Sequence, residues 1–208
     1  MSSSEPKTRR GRVSRERIVD RAAELVAEHG VQATRLDEVL AAAGASKSQL
    51  YHYFADRDQL VEAAVGRRCE QVLADLTATF ADVATFDELA RTLAGFVAVY
   101  ERSPSGCPIG SLASEVADRN EGARVRVAGA FASWERLLAD VFERMRAGGE
   151  LRADASPEAH ATALLASIEG GLLLSQTRRD AASLRIAVDA ALGYLRTSLV
   201  AQPDPAPK

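Results

Sequence analysis

Gly44-Ala45-Ser46-Lys47-Ser48-Gln49-Leu50-Tyr51-His52-Tyr53-Phe54 is the stretch on which the reading of this chain turns. Gly44 has no Cβ and suits the point where a helix must stop, and Ser46-Lys47-Ser48-Gln49 is a Ser-x-x-Gln capping box that opens the next helix at once. Leu50 and Phe54, four residues apart, give that helix one apolar edge and an end near Phe54. Upstream, Thr34-Arg35-Leu36-Asp37 sets a hydroxyl and, three residues on, a carboxylate ahead of Val39 and Leu40. This second capping signal predicts a short helix that closes before Gly44. Two short helices joined by Gly44-Ala45 are predicted to cross steeply, as in a helix-turn-helix. A longer helix precedes them, with Ile18, Ala22, Leu25 and Val26 after Ser14 and a stop at His29-Gly30.

The same signals continue to the C-terminal side. After Ala55-Asp56-Arg57-Asp58 a helix carries Leu60, Ala64, Val65, Val72, Leu73, Leu76 and Phe80, and Thr85-Phe86-Asp87-Glu88 boxes the start of the next. That one breaks at Ser103-Pro104-Ser105-Gly106-Cys107-Pro108, which is turn chemistry. A short helix near Ser111 to Val116, a long one from Glu121 to Ala147, one opened by Ser156-Pro157-Glu158 and a last from Ala182 to Val200 complete the chain. Alternating β-branched runs are missing. The expectation is an all-α protein of about nine helices: a flexible basic arm over residues 1–13, a helix-turn-helix DNA-binding domain over 14–60, a helical ligand-binding and dimerisation domain over 61–201, and a disordered tail over 202–208.

Composition sets bounds on function. With 208 residues, 47% of them hydrophobic, the chain can bury a substantial core. No apolar run approaches the ~20 residues of a membrane span, and the first residues are not signal-like, so a cytoplasmic address without a membrane partner is expected. Cys69 and Cys107 are too few and too far apart for a metal cluster or a disulfide framework. His29, His52 and His160 are scattered, and neither a nucleophile-base set nor a glycine-rich phosphate loop is visible, which argues against an enzyme, a cofactor or a metal. The net charge of -3 is unevenly spread. Lys7, Arg9, Arg10, Arg12, Arg15 and Arg17 face only Glu5 and Glu16 in the first seventeen residues, whereas the chain from residue 61 onward is acidic on balance. A basic end on an acidic body suits a polyanion, or else it is a solvated tail.

With Leu50 and Phe54 inward, Lys47, Ser48 and Tyr51 take the outward face of the third helix. An ammonium there can meet guanine acceptors in a major groove, and a ring edge can meet thymine methyls, so these three are the candidate base readers. Thr34, at the positive end of the second helix, is a candidate phosphate contact, and Arg35 and Arg57 add to it. The basic arm suits a neighbouring minor groove.

Three helices, a turn glycine and the Leu-Tyr-x-Tyr-Phe run occur in this order between Ser14 and Val65, and this segment resembles the N-terminal DNA-binding domain of the TetR family. Leu40 departs from the pattern, standing where the family more often has alanine facing the third helix. The resemblance implies phosphate contacts from Gln49, His52 and Tyr53; core aromatics remain the alternative for Tyr51 and Tyr53. Gly106 to Glu115 and Ile168 to Leu172 resemble the LmrA/YxaF-like branch of these regulators. That likeness implies a pocket among the middle helices, with Phe96, Tyr100, Cys107, Ile109, Leu112, Phe131, Trp134, Leu138, Leu173 and Gln176 as candidate lining. Tyr100, Trp134 and Gln176 are its polar groups. The last two helices resemble dimerisation elements, with Ala161, Ala163, Ala166, Gly170 and Gly171 allowing close approach and Leu184, Val188, Leu192 and Leu195 forming an apolar stripe; completing the core of one chain is the alternative use of both. The function implied is a homodimeric, ligand-responsive repressor, released from a palindromic double-stranded DNA operator by a small apolar or aromatic effector. An activator with the same reading head, or a helical interaction module that does not bind DNA, are the rival readings.

Overall fold

The computed structural model describes residues 6, 8–102 and 106–200, and among them the chain forms nine helices. These are α1 Arg9–His29, α2 Leu36–Ala43, α3 Lys47–Tyr53, α4 Arg57–Phe80, α5 Phe86–Arg102, α6 Pro108–Val116, α7 Glu121–Ala147, α8 Pro157–Arg178 and α9 Ala182–Arg196. One isolated antiparallel bridge joins Leu151 to Leu199. Two compact units emerge, Met1–Ala74 with Pro108–Phe131, and Asp75–Cys107 with Ala132–Lys208. The whole of the tail expected over 202–208, part of the basic arm including Lys7, and the Ser103-Pro104-Ser105 turn lie outside the described residues.

In the first unit α1 packs against both α2 and α3. It starts at Arg9, five residues ahead of Ser14, because the Thr8 hydroxyl caps it by accepting the Gly11 N–H at 3.1 Å. Arg9, Arg10 and Arg12 are therefore helical, a correction to the expectation of a flexible arm reaching residue 13. Ile18, Val19, Ala22, Ala23 and Val26 form its buried face, and Leu40 is buried as well, so the departure at that position is accommodated inside the core.

α1 ends at Gly30, with φ 82° and ψ 167°, a backbone conformation open essentially to glycine alone. The Glu115 carboxylate of α6 closes over this turn. It accepts the Gln32 N–H at 3.1 Å, and a Cβ on Gly30 would lie 2.8 Å from its Oε1. Nearby, the Asn120 amide donates to the Asp58 carbonyl at 3.0 Å, and Arg126 pairs with Glu62 at 3.1 Å. Gly30→Ala is accordingly expected to destabilise the fold by about 2 kcal/mol or more, from backbone strain and the crowded carboxylate together. Denaturant unfolding reads this directly, and a midpoint equal to that of the wild type would contradict it.

In the second unit α8 packs along α9. Gly171 makes the crossing close, since a Cβ there would sit 2.8 Å from the Leu184 Cα. Leu184, Val188, Leu192 and Leu195 are all buried within the chain, so the stripe expected to face a partner is core instead. The exposed apolar side chains of these two helices are others: Leu173 (63% exposed), Leu174, Ile186 (68%) and Tyr194.

His160 lies between α7 and α9, its ring 5.7 Å from that of Phe142 and 4.8 Å from that of Tyr194. It is buried, Nδ1 has no hydrogen-bond partner, and burial holds its pKa below the ordinary imidazole value. The unfolded chain thus takes up this proton first as pH falls. Stability is complete above the unfolded value of about 6.5 and declines as pH drops through it toward the lower folded value. The stability difference between wild type and His160→Gln is expected to change across that window, the wild type losing ground on acidification. A difference independent of pH in paired unfolding curves would refute this.

Candidate nucleic-acid interface

Each helix of the helix-turn-helix is held by a local device. α2 stops at Gly44, which takes the left-handed conformation at φ 56° and ψ 40°, and Ala45 N–H donates back to the Leu40 carbonyl at 3.0 Å. α3 follows with a complete capping box: Gln49 N–H donates to Ser46 Oγ at 3.2 Å, and Ser46 N–H donates to Gln49 Oε1 at 2.9 Å. Leu50 is fully buried, Tyr53 and Phe54 nearly so, and the Arg15 guanidinium lies 5.0 Å above the Phe54 ring. These anchors fix the rotation of a helix only seven residues long.

The face turned to solvent is then Lys47, Ser48, Gln49, Tyr51 and His52. Lys47 and Ser48 lie four and three residues before Tyr51, so the three candidate base readers share one surface, and the Tyr51 side chain is 49% exposed despite its size. Gln49 is exposed but committed: its amide oxygen belongs to the capping box, which leaves the NH₂ group for an outside contact. Tyr53 departs from the expectation of an outward phosphate contact. It is buried, edge-on to His52 with ring centroids 5.1 Å apart, and acts as a prop for the exposed imidazole.

The second helix also differs from its sequence reading. The Thr34 hydroxyl does not cap α2; it donates to the Gly30 carbonyl at 2.7 Å and closes the preceding turn. Arg35 occupies the N-cap position, and no side chain caps the helix. The first amides of α2 are left to an outside acceptor, with Asp37 and Glu38 in the first turn partly answering the helix dipole. Arg57 is exposed, yet its guanidinium donates to the carbonyls of Val31 at 3.1 Å and Thr34 at 3.4 Å. It braces the α1–α2 turn from below, whereas Arg35 stands free of any such bond among the described residues and is exposed.

The candidate effector-pocket residues divide between the units. Ile109, Leu112 and Phe131 belong to the first; Phe96, Tyr100, Cys107, Trp134, Leu138, Leu173 and Gln176 belong to the second. Within the second, the Phe96 and Tyr100 rings lie 4.9 Å apart, Cys107, Trp134 and Leu138 are buried, and Leu173 is on the surface, which removes it from any lining. The Trp134 Nε1–H is buried without an acceptor. Sequence reading passed over Glu169, a largely buried carboxyl on α8, and over Ile186 and Tyr194. The eight-residue interval between these last two, on the polar side of α9, was the available signal. Among the described residues no helix is long and apolar enough to cross a membrane, and no cluster of side chains fits a metal ion.

Residues 18–64 match the family model described as bacterial regulatory proteins, tetR family, and residues 85–191 match that of the tetracyclin repressor-like C-terminal domain. The chain is 33% identical over 176 residues to an uncharacterized HTH-type transcriptional regulator, Rv0196, of Mycobacterium tuberculosis, spanning 80% of this chain and 86% of the relative. It is 31% identical over 176 residues to the HTH-type transcriptional regulator LmrA of Bacillus subtilis, spanning 82% and 90% respectively. Among solved structures, a TetR transcriptional regulator from Chloroflexus aurantiacus superposes with a TM-score of 0.73 at 27% identity, over 92% of this chain and 98% of that one.

Proposed function

Because this chain belongs to the TetR family of DNA-binding transcriptional regulators, we propose that it acts as a homodimeric repressor, released from a palindromic operator in the cytoplasm by a small effector. One observation carries the reading: Lys47, Ser48 and Tyr51 form an exposed surface on a helix whose rotation is locked by a capping box and three buried side chains. In a major groove Lys47 addresses guanine N7 and O6, Ser48 either base edge, and Tyr51 the thymine methyl groups. Phosphates flank this surface, met by the uncapped amides of α2, Arg35, the Gln49 NH₂ group and His52, while Thr34, Tyr53 and Arg57 hold those donors in place. The basic first turns of α1 add charge toward the adjoining groove.

Two reading heads must reach successive grooves, so the operator's symmetry implies a twofold dimer. Leu173, Leu174, Ile186 and Tyr194 supply the apolar face for it on α8 and α9. The second unit supports the effector role through the Phe96–Tyr100 ring pair and the unanswered Trp134 N–H. A ligand that prefers the arrangement in which the heads no longer match the groove spacing shifts the population and frees the DNA.

Selection of duplexes from a random pool by the purified protein, followed by fluorescence anisotropy, tests this reading. The expected product is one consensus with two inverted half-sites, bound about a thousandfold or more tighter than random duplex. Enrichment of no sequence, with uniformly weak binding, would overturn it.

A further inference from the structure

Tyr100 lies near the end of α5, Gly106 stands two residues ahead of α6, and α8 carries Glu169 and, two turns later, Gln176. A Cβ on Gly106 would lie 2.5 Å from the Gln176 amide oxygen, and the next residue, Cys107, hydrogen-bonds the Glu169 side chain. Residues seven apart share a helix face, so Gly106-Cys107 runs along the edge of α8 that presents both polar groups. Tyr100 completes the cluster. Its phenol is pushed up to about 12 by burial first, then by the nearness of Cys107 and Glu169. The Phe96 ring tilts against it at 49°.

Glu169 is incompletely supplied in this cluster. Its Oε1 is buried with no hydrogen-bond partner, and its other link, to a thiol, is a weak one. Burial raises its pKa above the usual carboxylate range. Among the described residues no Lys, Arg or His forms an ion pair with it. A carboxyl in this position carries an unmet demand for a donor, and when ionised for a positive charge too. A charged N–H meets both, through a bond roughly twice as strong as a neutral one, and the adjacent aromatic pair offers π faces to the same cation.

We propose that Glu169, beside the Phe96–Tyr100 ring pair, is the anchor for an organic cation, and that the effector is an apolar molecule bearing a protonated amine or amidinium group. The assignment rests on reading this region as the effector sensor. Titration calorimetry on the full chain with three probes of matched skeleton, naphthylethylammonium, naphthylethanol and naphthylacetate, tests it. The ammonium probe is expected to bind at least about tenfold tighter than the alcohol, with the carboxylate weakest. In Glu169→Gln that preference disappears while alcohol binding is retained, and the thermal midpoint holds or rises because an unmet buried acid has been removed. If the alcohol binds but the ammonium gains nothing over it, or if Glu169→Gln leaves the preference intact, the cation assignment falls and the effector reading survives. If none of the three binds, both fall.

Discussion

A double substitution, Leu173→Asp with Ile186→Asp, is expected to leave the protein monomeric and to weaken its hold on a two-half-site operator by about a thousandfold or more. Both side chains are more than three-fifths exposed in the single chain, so the monomer tolerates the carboxylates and its helical content should not change. In a twofold interface each carboxylate appears twice and is stripped of water without a partner, at several kcal/mol apiece. Losing the dimer then removes the advantage of delivering the second reading head already tethered near its half-site. Sedimentation equilibrium and anisotropy on the same samples separate the two effects. A variant that stays dimeric would show that α8 and α9 do not pair through this face.

The second large effect concerns base reading. Lys47→Ala combined with Tyr51→Ala is expected to bring the affinity for the selected operator down to that for random duplex. Each base contact accounts for roughly 1–3 kcal/mol of discrimination, and the dimer makes each contact twice. Arg35→Ala should behave differently, lowering affinity for selected and random duplex alike and reducing the slope of log K against log salt. These opposite signatures distinguish a reader from a phosphate clamp. Retained selectivity in the double variant would sink the assignment of this helix face.

Much of the reading head was legible because its controls are local. Gly44, the Ser46–Gln49 box and the Leu50/Phe54 edge each act within a few residues, and the helix bounds follow from them. Thr34 shows where such reasoning stops: its hydroxyl had two local acceptor or donor options, and the one taken depends on how Gly30 turns the chain. Arg57 stays exposed but is bound by the carbonyls of Val31 and Thr34, and Tyr53 is buried with its hydroxyl beside Gly11, partners more than twenty residues away in sequence for which no short-range pattern exists. On α9 a single apolar stripe was expected to serve a partner, whereas close packing at Gly171 consumed it and left Ile186 and Tyr194 outside. Glu169 was illegible for the same reason, since one acidic residue in a helix acquires meaning only from what surrounds it.

The tie between Glu115 and the Gly30 turn bears on any attempt to transplant this head. Residues Pro108–Phe131 lie in the same compact unit as the helix-turn-helix, and they supply the carboxylate at Gln32 N–H, the amide at Asp58 and the guanidinium at Glu62. A chimera cut after α4 would strip three polar groups of their partners. A graft meant to retain operator recognition therefore has to be discontinuous in sequence, carrying α6 and the opening turns of α7 as a second insert.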